Sequence, residues 1–98
     1  MSFSSQPKSI LITGCSTGFG RVTALHMAKL SWKVFATVRK ETDRESLLDE
    51  KAGNLVPLLC DIVREDQVQE LGRAVAAQCD RLDALVNNAG SVFAAPIE

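Results

Sequence analysis

The sequence predicts an α/β domain built on a doubly wound parallel sheet. Three observations predict it. Short runs rich in apolar and β-branched residues alternate with helix-like stretches of about ten residues, in the order strand, helix, strand, helix, strand, helix, strand. Alternation of that kind implies parallel strands joined by right-handed crossovers. Glycine-bearing loops follow the first and the fourth strand runs, and a doubly wound sheet binds its ligands beyond the carboxyl ends of its strands, where strand order reverses.

Each element has its own signal. Residues 9–13, Ser-Ile-Leu-Ile-Thr, form a short apolar run ending at Gly14, as suits a strand buried on both faces. Over 18–30, Phe19, Val22, Leu25, Met27 and Ala28 recur at three- and four-residue spacing, which predicts a helix. Residues 33–38, Lys-Val-Phe-Ala-Thr-Val, are β-branched and aromatic and predict a second strand. The polar stretch 42–52, with Leu47 and Leu48, predicts a short helix stopped at Gly53-Asn54. A third strand is expected over 55–60. Pro57 lies inside it and lacks a donor N–H, so this strand belongs at a sheet edge. Over 65–79, Val68, Leu71, Val75 and Cys79 share one stripe of a third helix. The fourth strand, 82–86, runs into Asn87-Asn88-Ala89-Gly90. Residues 1–8 read as a disordered polar tail, and 9–98 as one partial domain.

Composition narrows the function. A chain of 98 residues, 46% hydrophobic and 23% charged, is an ordinary globular chain with room for one domain. Eleven Lys and Arg against twelve Asp and Glu leave a net charge of −1, too weak a field to hold nucleic acid or an anionic membrane. No apolar run approaches the roughly 20 residues of a membrane-spanning helix. The polar N-terminus does not read as a secretory signal. The three cysteines, Cys15, Cys60 and Cys79, are odd in number and widely spaced, which argues against a disulfide framework. No C-x-x-C or Cys/His pair suggests zinc. A reducing, cytoplasmic setting is the expectation.

The chemistry concentrates in Thr13-Gly14-Cys15-Ser16-Thr17-Gly18-Phe19-Gly20, between the first strand and the first helix. Gly14 permits a tight turn. Gly18 carries no side chain to hold a pyrophosphate off the backbone, and Gly20 allows the helix to pack closely on the sheet. The free N–H groups and dipole of the first helical turn favour an anion, to which Ser16 and Thr17 add hydroxyls. A turn whose Ser or Thr merely caps the helix is the alternative.

Thr-Gly-x-x-x-Gly-x-Gly at 13–20, followed by Asn-Asn-Ala-Gly at 87–90, resembles the short-chain dehydrogenase/reductase family. The likeness extends from Lys8 onward. Its wording is nearest to members acting on steroids, retinoids and related lipophilic alcohols and ketones. The resemblance implies the N-terminal half of a Rossmann-type domain with strand order 3-2-1-4. It also implies a dinucleotide cofactor, a small alcohol or carbonyl substrate for the full-length protein, and homo-oligomers. Carried onto this chain, it places the phosphates at Gly14, Ser16, Thr17, Gly18, Phe19 and Gly20. Asp61 and Ile62 contact the adenine, and Asn88, Ala89 and Gly90 line the adenosine ribose. As alternatives, Asp61 favours the dipole of the next helix, and 87–90 forms a plain Asn-Gly-type turn. Val63 stands where the family often has a capping Thr, so the start of that helix lacks a cap.

The end of the second strand bears on NADP against NAD. An acidic residue there would bind a ribose 2′-hydroxyl, whereas Arg suits a 2′-phosphate. Thr37-Val38-Arg39-Lys40 has no carboxylate before Glu41, so NADP is the expected cofactor and NAD the less favoured one. The alternative leaves Arg39 and Lys40 as solvated loop charges. The resemblance also implies catalysis by a Tyr-x-x-x-Lys pair with a Ser and an Asn, yet the chain contains no tyrosine. No catalytic residue and no metal site is assigned, and the 98 residues alone are expected to be inactive. His26, Trp32 and Cys15 read as structural residues. A stand-alone, non-catalytic dinucleotide-sensing or interaction module is the competing function.

Overall fold

A computed structural model describes residues 8–16, 18–61, 64–79 and 81–88. Its elements are β1 (Ser9–Ile12), α1 (Gly18–Lys29), β2 (Lys33–Val38), α2 (Glu41–Leu48), β3 (Leu55–Leu59), α3 (Glu65–Ala76) and β4 (Ala84–Val86). The strands form one parallel sheet in the order β3-β2-β1-β4. This is the Rossmann-type order that the resemblance implies. Pro57 lies on an edge strand, as its missing donor requires.

Strand β2 shows why the sheet is parallel. Val34 to Val38 are all buried, so both faces of this strand are covered. Side chains alternate across the pleat. Val34, Ala36 and Val38 join Ile10, Ile12, Ala24, Ala28 and Leu47 in one core cluster. Phe35 turns the other way, to Leu71, Val75 and Cys60. Helices α1 and α2 therefore cover one face and α3 the other. Fully burying side chains of this size contributes about 1.5–3 kcal/mol each.

The structure corrects the reading of α1. The apolar residues that predict this helix mark its buried face only in part. Gly20, Ala24 and Ala28 point inward, while Phe19 is 71% and Val22 65% exposed. Small residues at four-residue spacing let the helix axis approach the sheet, and a bulky side chain on that face would hold it away. Leu25 and Met27 flank this stripe against the core.

Element ends also move. Helix α1 closes with a left-handed residue, Ser31 at φ 72°. The Trp32 N–H donates to the Met27 carbonyl at 3.2 Å and the Ser31 N–H to Ala28 at 3.0 Å, the paired bonds of a Schellman ending. Asn54 supports that ending from the start of β3, donating through Nδ2 to Ala28 and Trp32 carbonyls at 2.8 and 2.6 Å. Helix α2 begins at Glu41 and stops at Leu48. Its left-handed turn falls on Lys51, φ 58°, rather than on Gly53-Asn54. Helix α3 ends at Ala76, three residues short of Cys79, which still packs against the Phe35 cluster. Its N-cap is Arg64, with no side-chain capping bond. Val63 lies outside the described residues.

Strand β4 is three residues long and forms the other edge of the sheet among the described residues. Asp83 anchors it to β1: its N–H donates to the Ser9 carbonyl at 2.9 Å, and its Oδ2 accepts the Ser9 N–H at 2.8 Å. Leu85 stays 61% exposed. Lys8 was placed in the tail by sequence, yet its carbonyl accepts the Lys33 N–H at 2.8 Å. Its ammonium lies 5.7 Å from the Trp32 ring centroid. The rest of the expected tail, residues 1–7, lies outside the described residues. No described helix is long and apolar enough to cross a membrane.

Candidate functional site

The register levels the carboxyl ends of three strands. Ile12 stands opposite Ala36 of β2 and Val86 of β4. Residues 13–16, 37–39 and 87–88 therefore emerge together at one end of the sheet. Cys60 joins them from β3, its N–H donating to the Val38 carbonyl at 2.9 Å.

The first three amides of the glycine loop are held by its neighbours. Thr13 N–H donates to the Val86 carbonyl at 3.0 Å, and Cys15 N–H to the Thr37 carbonyl at 2.8 Å. Gly14 N–H donates to Thr37 Oγ1 at 3.1 Å. From the β4 side, Asn88 N–H donates to Thr13 Oγ1 at 2.8 Å, and Asn88 Nδ2 to the Gly14 carbonyl at 3.1 Å. The loop is thus clamped between the ends of β2 and β4. Donors for an external anion begin after Cys15, at the first turn of α1, where N–H groups have no partner within the helix.

Two glycines shape that first turn. Gly14 and Gly18 have positive φ, 71° and 66°, in the region that side chains disfavour. A Cβ on Gly18 would meet nothing within 4 Å, so the backbone there is open to a ligand. A Cβ on Gly20 would collide with the Gly14 carbonyl and stand 2.8 Å from Asn88 Nδ2. Gly20 thus seats the helix on its own loop and on the β4 loop, a closer reason than packing on the sheet. Helix α1 carries no acidic residue in its first turn, leaving the positive end of its dipole unopposed. This is a cradle suited to a diphosphate.

Charge at the end of β2 is basic. Arg39 and Lys40 are exposed, and neither enters an ion pair among the described residues. Glu41, the nearest carboxylate in sequence, is engaged elsewhere. Arg44 Nε donates to both of its oxygens, at 3.1 and 3.0 Å, and Nη2 to Oε2 at 2.6 Å. Hydrogen bonding from Arg44 holds the Glu41 carboxyl below its usual range.

Cys15 and Cys60 are buried thiols. Cys15 is fully buried beneath the loop, its Sγ donating to the Ile12 carbonyl at 3.3 Å. Burial pushes the thiol up to about 12, against a smaller opposing pull from a Thr37 backbone hydrogen bond. No nucleophilic thiolate forms there near neutral pH. Cys60 is likewise raised, by burial first and the neighbouring Asp61 charge second. Among the described residues no cluster of His, Cys, Asp or Glu could hold a metal ion.

Of the residues expected to form the site, Gly14, Ser16, Gly18, Phe19, Gly20, Arg39 and Asn88 lie around this end of the sheet. Asp61 follows β3 on the same side, and its N–H donates to Gln67 Oε1 at 2.6 Å. Thr17, Ile62, Ala89 and Gly90 lie outside the described residues. Sequence reading passed over Thr37. Its signal is a hydroxyl within Val-Phe-Ala-Thr-Val, a run that otherwise buries apolar side chains.

The model of the family described as short chain dehydrogenase matches residues 8–98. The chain belongs to that family. A 3-ketodihydrosphingosine reductase of Bacteroides thetaiotaomicron is 32% identical to this chain over 93 residues, 95% of the chain and 32% of that protein. An NADP-dependent 3-hydroxy acid dehydrogenase of Salmonella typhi is 33% identical over 81 residues, 83% of the chain and 33% of that protein. Among solved structures, a variant of actinorhodin polyketide ketoreductase crystallised with NADPH superposes with a TM-score of 0.79 at 31% identity. That match covers 86% of this chain and 33% of the other. The chain thus spans about a third of the length of the relatives it matches.

Proposed function

We propose that these 98 residues form the NADP-gripping part of an oxidoreductase that transfers hydride between NADP(H) and an alcohol or carbonyl substrate. The observation that carries the reading is Gly18. It sits at positive φ, at the head of α1, with open space where a side chain would be. The cradle of Gly14, Ser16, Thr17, Gly18, Phe19 and Gly20 would hold the diphosphate by backbone N–H groups and hydroxyls. Asp61 and Ile62 would meet the adenine. Asn88, Ala89 and Gly90 would line its ribose, and Arg39 would receive the 2′-phosphate. Preference for NADP is supported by two cations at the end of β2 that enter no ion pair among the described residues and by a Glu41 already engaged with Arg44. The NADP-dependent relative and the NADPH-bound ketoreductase point the same way. The bound nicotinamide would carry the hydride. The chain has no tyrosine to move the substrate's proton, so the 98 residues supply binding and not turnover.

The test is Gly18→Asp. Aspartate tolerates positive φ better than most residues, so the variant keeps its fold while setting a carboxylate against the diphosphate. Calorimetric titration with NADP+ is expected to show binding to the parent chain and at least a hundred-fold loss in the variant, about 2.7 kcal/mol or more. Equal affinity in both would remove the site from this loop.

A further inference from the structure

We infer that Thr37 is a positioning residue: its hydroxyl sets the angle of the glycine loop and ties the diphosphate cradle to the basic end of β2. The inference rests on the NADP-binding reading and goes one residue deeper. Thr37 is 2% exposed, on a strand whose other members from Val34 to Val38 are apolar. A hydroxyl in such surroundings is costly unless hydrogen-bonded. It has a partner in Gly14 N–H, at 3.1 Å. The carbonyl of the same residue accepts Cys15 N–H at 2.8 Å. One residue therefore receives two successive loop amides, through side chain and main chain.

The location makes this more than packing. The β1–β2 ladder ends at the pairing of Ile12 with Ala36, so Thr37 takes over where β1 leaves the sheet and becomes loop. Gly14 turns there through φ 71°, a conformation with several low-energy alternatives for glycine. The Thr37 hydroxyl selects one of them. Arg39 stands two residues further along the same chain. A shift of the loop relative to Thr37 thus moves the cradle relative to Arg39 and changes the spacing that one dinucleotide would have to span. Valine matches threonine in shape and removes the hydroxyl, leaving Gly14 N–H without its acceptor.

Calorimetric titration of the 98-residue chain with NADP+ and with NAD+, for wild type, Thr37→Val and Thr37→Ser, decides the matter. Thr37→Val is expected to weaken NADP+ by a factor of about ten and NAD+ by less, since both use the diphosphate cradle but only NADP+ also reaches Arg39. Thr37→Ser restores the hydroxyl and is expected to bind within about two-fold of wild type. A merely structural role would lower the melting temperature of Thr37→Val and leave its affinity below that temperature unchanged. Wild-type affinity in Thr37→Val overturns the inference and leaves the NADP reading standing. A wild-type chain that binds neither dinucleotide overturns both. If Thr37→Val does not fold, Thr37→Ser decides: near-wild-type affinity supports the hydroxyl's role, and a ten-fold loss refutes it.

Discussion

Arg39 shows what one side chain contributes and how far sequence reaches it. Its type and place are plain in the sequence, since no carboxylate precedes Glu41 in the turn after β2. The structure adds that Arg44 grips Glu41 and that Arg39 and Lys40 enter no ion pair among the described residues. A guanidinium in that state suits a phosphate, and hydrogen bonds to charged groups are worth about 1.5–3 kcal/mol each. Arg39→Ala is therefore expected to weaken NADP+ about ten- to hundred-fold and NAD+ less than two-fold, measured by titration at fixed salt. Equal losses for both would mean that Arg39 does not read the 2′ position. Cys15 teaches the complementary lesson. A thiol beside a helix start invites a thiolate reading, but burial raises it to about 12 and removes the nucleophile.

At the scale of an element, α1 was legible as a helix and misleading as to its face. Spacing counts apolar residues, whereas the sheet selects for small ones where the axis must come close. Phe19 and Val22 end up outside, and Gly20, Ala24 and Ala28 inside. Its C-terminus is a second case. The Schellman ending needs a left-handed residue and the chain supplies Ser31, at φ 72°. Side chains pay about 1–2 kcal/mol for that conformation, which glycine avoids at some cost in unfolded-state entropy. Ser31→Gly is expected to stabilise the fold by about 0.5–1 kcal/mol, read as a higher urea midpoint at unchanged slope. A lower midpoint would show that the serine makes a contact worth more than its strain.

At the scale of the whole molecule, the two faces of the sheet close around β2, and Cys15 lies inside that closure. Its raised thiol links global stability to pH. The folded chain keeps this proton where the unfolded chain, with a thiol near 9, releases it. The unfolded state then binds fewer protons than the folded one, so stability falls as pH rises. The contribution is complete below about pH 9 and is lost progressively towards pH 12, at up to about 1.4 kcal/mol per pH unit. Urea unfolding between about pH 8 and pH 11 should show this slope in the wild type and a shallower one in Cys15→Ala. Equal slopes in the two chains would remove Cys15 as the source.

The sequence by itself determined the alternation of strands and helices, the edge position of the Pro57 strand and the glycines of the α1 loop. Each is a local matter, set by side-chain periodicity, by a missing donor or by a backbone that only glycine tolerates well. Only the tertiary structure decided which side of α1 faces inward and that Thr37 and Asn88 clamp the loop from the ends of β2 and β4. The clamp joins residues far apart in the chain, which meet only when the parallel register levels the ends of β2, β1 and β4. Hydrogen bonds of that kind depend on distance in space, and sequence spacing does not record it.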